Sequence, residues 1–201
     1  MKHRVTRAIF GYWDALRGTR PAPERTDIDP GAIRSCLAKT FILTFDPDRG
    51  HQFRIAGTSL CETFGSELTG TPFSELWGQS EQQAVCELIR TVTQDAEGVV
   101  AGVTGRNADG DTAELEMILL PLASGDKGRE RLLGALAAVT TPYWLGIRPL
   151  QSLQLGEMRY TGAAGTEKLT FGQKVLRGPG FVLYPAAPHF HSTKLSGLTP
   201  R

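Results

Sequence analysis

The sequence predicts an α+β domain, one antiparallel sheet with helices packed on it. Three observations carry that expectation. An apolar fraction of 40% over 201 residues is enough for a core and too much for wholesale disorder. Helical spacing appears at the start of the chain and again around residues 81–95, and the strand-like segments come as a pair and then a triplet. Within the triplet, Glu114-Leu115-Glu116-Met117 alternates acid and apolar, the pattern of a strand with one face in water.

The elements follow in order. Val5, Ile9, Tyr12, Trp13 and Leu16 recur at helical spacing, which predicts an amphipathic helix over 4–17 closed by Gly18. Pro21 and Pro23 keep the next stretch irregular, and Asp29-Pro30 reads as a cap and first turn opening a short helix through Ile33, Cys36 and Leu37. Residues 40–45 and 52–56, β-branched and aromatic, make a hairpin around the turn Asp46-Pro47-Asp48-Arg49-Gly50. Ser59 with Glu62 is a capping-box pattern for a short helix through Phe64, and Thr71-Pro72 starts another before Trp77. Val85, Leu88, Ile89 and Val92 share one face of a helix over 81–95. Strands over 99–106, 112–121 and 132–141 complete the sheet. Three regions result: a helical extension over 1–37, a domain over 38–145, and a tail over 146–201 that glycine and proline punctuation marks as largely irregular.

Charge is balanced overall, 22 basic residues against 21 acidic. It is not evenly spread, because residues 146–201 carry seven Lys/Arg and two Glu, a net of +5 that leaves −4 for the remainder. The balance argues against a dedicated nucleic-acid binder, although a regulator that uses the basic tail is one alternative. No run is long enough for a membrane helix, Arg7 and Asp14 interrupt the first apolar stretch, and the three cysteines are sparse and odd in number. These features together predict a cytoplasmic protein with free thiols and no membrane contact.

Motifs for catalysis are missing: the sequence has no GxSxG, P-loop, GxGxxG or HExxH. Asn107, Asp109 and Asp111 imitate the first ligands of a calcium loop, but the twelfth position is Ile118, so a hairpin turn is the better reading. His189 and His191 lack a third ligand nearby, and no metal site is predicted. Cys36, Cys61 and Cys86 read as core thiols. An enzyme using Cys61, Glu62 or Asp109 is the last-ranked alternative, since spacing converges on no acid, base and nucleophile.

Leu68-Thr69-Gly70-Thr71-Pro72-Phe73-Ser74-Glu75-Leu76-Trp77 resembles the turn of PAS domains that follows a strand pair and a short helix. Tyr12-Trp13-Asp14-Ala15-Leu16-Arg17-Gly18, Arg20-Pro21-Ala22-Pro23-Glu24-Arg25, Asp27-Ile28-Asp29-Pro30 and Phe53-Arg54-Ile55-Ala56-Gly57-Thr58 are similar to a bacterial group of single-domain PAS proteins formerly catalogued as a domain of unknown function. The resemblance covers about residues 5–145 and leaves the tail unmatched.

That resemblance implies a five-stranded antiparallel sheet in the order 2-1-5-4-3, with helices flanking a cavity. It implies a non-enzymatic sensory or adaptor role in which a small molecule, another signalling protein, or both are bound. Haem-type members carry a histidine on the long helix, and residues 79–96 have none. Photoreceptive flavin types carry Asn-Cys-Arg-Phe, where this chain has Leu60-Cys61-Glu62-Thr63. Both cofactors are therefore disfavoured, and no other is predicted. By alternation, Phe41, Leu43, Phe53, Ile55, Leu115, Met117 and Leu136 should face the cavity. Leu88 and Ile89 should cover it from the long helix, with Trp77 near the rim. Ile9, Phe10, Trp13 and Leu16 need a surface to cover, either the same chain or a second copy, and pairing of PAS modules through flanking helices favours a homodimer.

Overall fold

The structure is a computed structural model, and it describes residues 1–123 and 130–161. Helix α1 spans Arg4–Arg17, the range the spacing predicts. His3 caps it, Nδ1 accepting the Val5 amide at 3.0 Å, and Gly18 ends it at φ 56°. The short helix expected after Asp29 does not form. Asp29 Oδ1 takes the Gly31 amide instead, and backbone bonds from Ala32 to Asp29 and from Ile33 to Pro30 make turns, followed by a single 3₁₀ turn at Leu37–Lys39. Strands β1 (Thr40–Asp46) and β2 (Gly50–Ala56) form the hairpin. Helix α2 is Thr58–Phe64 with Gly57 as its cap, so Ser59 and Glu62 do not act as a capping box. A 3₁₀ turn at Phe73–Leu76 leads to α3, Gln82–Gln94. Strands β3 (Val99–Asn107), β4 (Thr112–Leu122), β5 (Arg131–Ala138) and β6 (Leu150–Tyr160) follow.

The sheet runs β2-β1-β5-β4-β3-β6, every neighbouring pair antiparallel. Its first five strands have the expected order. The sixth corrects the irregular tail expected from residue 146: residues 150–160 pair with β3 along its length. Two irregularities, opposite Arg106/Asn107 and Ala101/Val103, shift the pairing. The inward residues Leu150, Leu153, Leu155 and Met158 are therefore spaced by three, two and three, and the period-2 signature of a strand is lost. The rest of the tail, with its Phe181-Val182-Leu183-Tyr184 patch and the two later histidines, lies outside the described residues, as does the 124–129 loop.

The connection from β5 to β6 is fixed at several points. Trp144 is buried in the core beneath the helices. Arg148 Nη1 reaches Asp109 at 3.0 Å and Asp111 at 3.3 Å, so the two carboxylates of the calcium-like turn face a guanidinium. Asn107 Oδ1 accepts the amides of Asp109 and Asp111, as a hairpin turn requires.

Both faces of the central strands β1, β5 and β4 are buried over most of their length, while β2, β3 and β6 keep exposed residues on the outer face. The concave face packs under α2, the 3₁₀ turn at 73–76 and α3. The outer face is covered by α1 and the turns after it: Val5, Ile9, Trp13, Ile28 and Ile33 pack with Ile42, Ile118, Leu120 and Leu133. Ile9 is fully buried and Trp13 is 3% exposed, its Nε1 donating to the Pro121 carbonyl at 2.8 Å. Phe10 and Leu16 pack against the same cluster. The interface expected through Ile9 and Trp13 is thus corrected to an intrachain contact. The sheet offers α1 an apolar face at no cost in association entropy, and Ile9 and Trp13 retain no surface for a second copy, whereas Phe10 and Leu16 are half-buried.

Glu116 fastens the start of α1. Alternation puts its side chain on the outer face, yet it is only 4% exposed because the N-terminal residues cross over it. Its carboxylate accepts the Lys2 amide at 2.6 Å and the His3 amide at 2.8 Å, and the Thr6 hydroxyl donates to it as well. Burial pushes this carboxyl up, but the donors from Thr6, Lys2 and His3 and the N-terminal ammonium push it down further, so its pKa lies below the ordinary 4.5. A carboxylate whose folded pKa is depressed contributes stability fully above its unfolded pKa and loses it as pH falls through the folded value. Glu116→Gln should therefore cost about 1.5–3 kcal/mol at neutral pH. Urea titrations should show the gap between wild type and variant closing below about pH 4.5, and a gap that is constant with pH would contradict the assignment.

Candidate functional site

The concave face is where the expected ligand residues gather, with one exception. Phe41, Leu43, Phe53, Trp77, Leu88, Ile89 and Met117 all lie in one buried cluster there, with Leu115 and Leu136. Ile55 does not; it is 47% exposed. Leu43 pairs with Phe53 but Ile42 pairs with Ile55, which leaves Arg54 as an extra residue in β2. That bulge turns Ile55 to the outer face beside Ile42, and strict alternation fails by one position.

Aromatic rings fill the interior at the β1–β2 end. The Phe41 ring lies 5.5 Å from Phe53 and 5.6 Å from Phe73, and Phe73 lies 5.8 Å from Trp77, measured between centroids. Room for Phe41 comes from Gly134 opposite it on β5, where a Cβ would stand 2.2 Å from the ring. Trp77 is 2% exposed and deep in this cluster, not at a rim, and its indole Nε1 has no hydrogen-bond partner. A buried donor without an acceptor costs about 1–3 kcal/mol.

The concave face opens to solvent between α2 and the far end of β5. The opening is a cavity of about 170 Å³ with Leu60, Leu115, Leu136 and Leu145 in its lining. Lys39 from the 3₁₀ turn before β1 and Glu62 from α2 line the same space, with the hydroxyl residues Ser59, Thr63 and Thr141. Among the described residues neither Lys39 nor Glu62 takes part in an ion pair. A volume near 150 Å³ holds one benzene-sized molecule, while drug-sized pockets begin near about 300 Å³. This opening therefore suits a ligand of few heavy atoms, apolar at one end and polar at the other.

The thiols divide. Cys36 is buried with the outer-face cluster, Cys61 is half-buried against the concave one, and Cys86 is exposed, which corrects its expected core position. Cys61 Sγ lies 3.8 Å from Glu67 Oε1. The Thr69 backbone amide and then its hydroxyl hold the Glu67 carboxyl below its usual range, which makes it a poor base for a thiol. His51 sits across the molecule beside the Phe45 ring, with Nε2 3.5 Å from Glu130. Burial pushes its pKa down and Glu130 pulls it partly back.

Sequence reasoning missed Trp144, Leu150, Leu153, Leu155 and Met158, all of them concave-face residues contributed after β5. Trp144 next to Pro142 and Leu145 was the available signal, a large aromatic in a stretch otherwise read as irregular. It also missed Glu116, whose role depends on where the N-terminus lies and leaves no local mark.

Comparison with known proteins follows from this geometry. A family model described as a PAS domain matches residues 1–137, so the match ends within β5 and excludes β6. One solved chain, from "Flavin Analogue Sheds Light on Light-Oxygen-Voltage Domain Mechanism", superposes with a TM-score of 0.44 and 19% identity, over 56% of this chain and 85% of that one. No curated protein matches the sequence.

The unpaired indole sets a test of the interior. Trp77→Phe removes the donor along with part of the ring, and the two effects oppose one another. It should cost less than about 1 kcal/mol, whereas Trp77→Ala should cost about 3–5 kcal/mol. Chemical denaturation of both variants checks this, and a Phe variant as unstable as the Ala variant would show that Nε1 has a partner.

Proposed function

The chain belongs to the PAS domain family, whose members are commonly sensory, and from that premise we propose that it is a non-enzymatic sensory module. A small molecule enters at the α2–β5 opening, its occupancy shifts a conformational equilibrium, and a partner signalling protein reads the shift. The observation that carries this reading is the opening itself. Its apolar floor is made of Leu115 and Leu136, which belong to the same buried cluster as the aromatic interior. A ligand there touches the core directly, and a packed core transmits small displacements because it has few voids to absorb them.

The fates of the residues weighed for catalysis support the non-catalytic half of the reading. Asp109 is paired with Arg148, Cys61 faces a weakly basic carboxylate, and Glu62 stands in the rim with neither of them as a hydrogen-bond partner. The charge pattern of the basic tail, on which a nucleic-acid role would rest, belongs largely to residues beyond those described.

Native mass spectrometry of freshly purified protein, with an absorption spectrum of the same sample, tests the proposal. The expected result is an adduct of one small molecule per chain with no absorption beyond the aromatic side chains. A chain that carries no adduct and takes up none from a metabolite extract would overturn the ligand half of the reading.

A further inference from the structure

We infer that His51, Glu130 and Thr93 form a proton-responsive clasp, which ties the β1–β2 hairpin to the C-terminal turns of α3 and loosens when acid protonates His51. The inference goes beyond the ligand reading and does not depend on it. Its ground is one buried nitrogen. The His51 side chain is 9% exposed, and its Nε2 is buried with no hydrogen-bond partner. Glu130 Oε2 stands 3.5 Å from that nitrogen, too far for a normal hydrogen bond and close enough for an ion pair once the ring is charged. The Phe45 ring, opposite His51 on β1, lies 5.2 Å away and gives the imidazole an apolar wall.

Glu130 sits where three elements meet. Its backbone carbonyl accepts the Phe45 amide at 3.0 Å, which fixes it to β1. The same Oε2 lies 3.2 Å from the Thr93 hydroxyl of α3, whose single proton is shared with the carbonyls of Ile89 and Arg90. Ile89 and Val92, on the same turns of α3, are buried in the concave-face cluster. A change at His51 is thus one side chain away from the helix that closes the core.

The direction follows from the charges around the ring. Among the described residues, Glu130 at the start of β5 and Arg90 on α3 act on it, while the Asp46 carboxylate in the adjoining turn accepts the amides of Asp48 and Arg49. Asp126, Lys127 and Arg129, which precede Glu130, lie outside the described residues. Burial disfavours the imidazolium most, Glu130 offsets part of this, and Arg90 adds to it, so the pKa of His51 stands below the ordinary 6.5. The fold therefore accommodates the neutral ring. A group whose folded pKa is depressed contributes stability above its unfolded pKa and loses it as pH falls through the folded value. For the clasp that window opens below about pH 6.5, well above the one that belongs to Glu116. His3, also pushed down by burial, caps α1 in the other layer, so the readout has to be local to α3.

Residue-resolved amide exchange on the intact protein between pH 7 and pH 5, expressed as protection factors, tests the inference. Protection over residues 90–94 should fall about threefold or more across that range. His51→Phe keeps a ring and removes the proton, and its protection there should be level with pH. Glu130→Gln should move the midpoint to lower pH and Arg90→Gln to higher pH, because they remove opposite influences on the imidazolium. Protection that stays constant or rises as pH falls would overturn the inference. So would a wild-type pH response in His51→Phe, or midpoints that shift in the same direction in the two charge variants. If His51→Phe does not fold, the opposed shifts of the charge variants decide alone.

Discussion

A sheet whose central strands are apolar on both faces constrains everything else in this molecule. From Leu115 to Leu122 every residue of β4 is buried, and β5 is nearly the same. Such strands cannot leave either side in water, since each exposed Leu or Ile would forgo about 1.5–3 kcal/mol of burial. The chain therefore has to bring helices to the concave face and something else to the outer one. What it brings is α1 and the turns behind it. The buried Glu116 carboxylate belongs to this arrangement, because it satisfies the first amides of the segment that must cross the sheet.

The concave face obeys the same constraint by a different route. Five strands and three helical pieces do not complete it; Trp144 and the inward residues of β6 do. Those residues follow the segment the family model matches. The same stretch contributes to the opening, which has Leu145 in its lining and lies at the end of β5 where the connection to β6 departs. Gly65, at the C-terminus of α2, packs so near Pro149 that a Cβ would come within 2.5 Å of the ring, which ties the same connection to the helix.

Much of this was legible in the sequence, and the failures have local causes. Helix α1 was readable to the residue because its apolar stripe and Gly18 agree. The order of the first five strands followed from resemblance, and seven of the eight expected ligand residues lie in one cluster: Phe41, Leu43, Phe53 and Met117 by alternation where pairing is regular, Leu88 and Ile89 by the apolar face of α3, and Trp77 at the end of the 3₁₀ turn. Ile55 failed at a bulge, β6 failed at two, and a bulge carries no fixed residue signature. Trp13 was recognised as needing cover, but periodicity cannot say which surface supplies it. Lys39 and Glu62 are 23 positions apart, and only the hairpin between them places both at one opening.

The central claim is that the sheet's concave face is completed by β6, which makes β3 an interior strand. Amide hydrogen exchange on the intact protein, resolved by residue along Val99–Asn107, measures this directly. An interior strand has partners on both sides, so successive amides should be protected alike, apart from the irregularities near Gly102 and Asn107. If every second amide exchanged rapidly, as in a strand paired on one side only, β3 would be an edge and the account of the fold would be wrong.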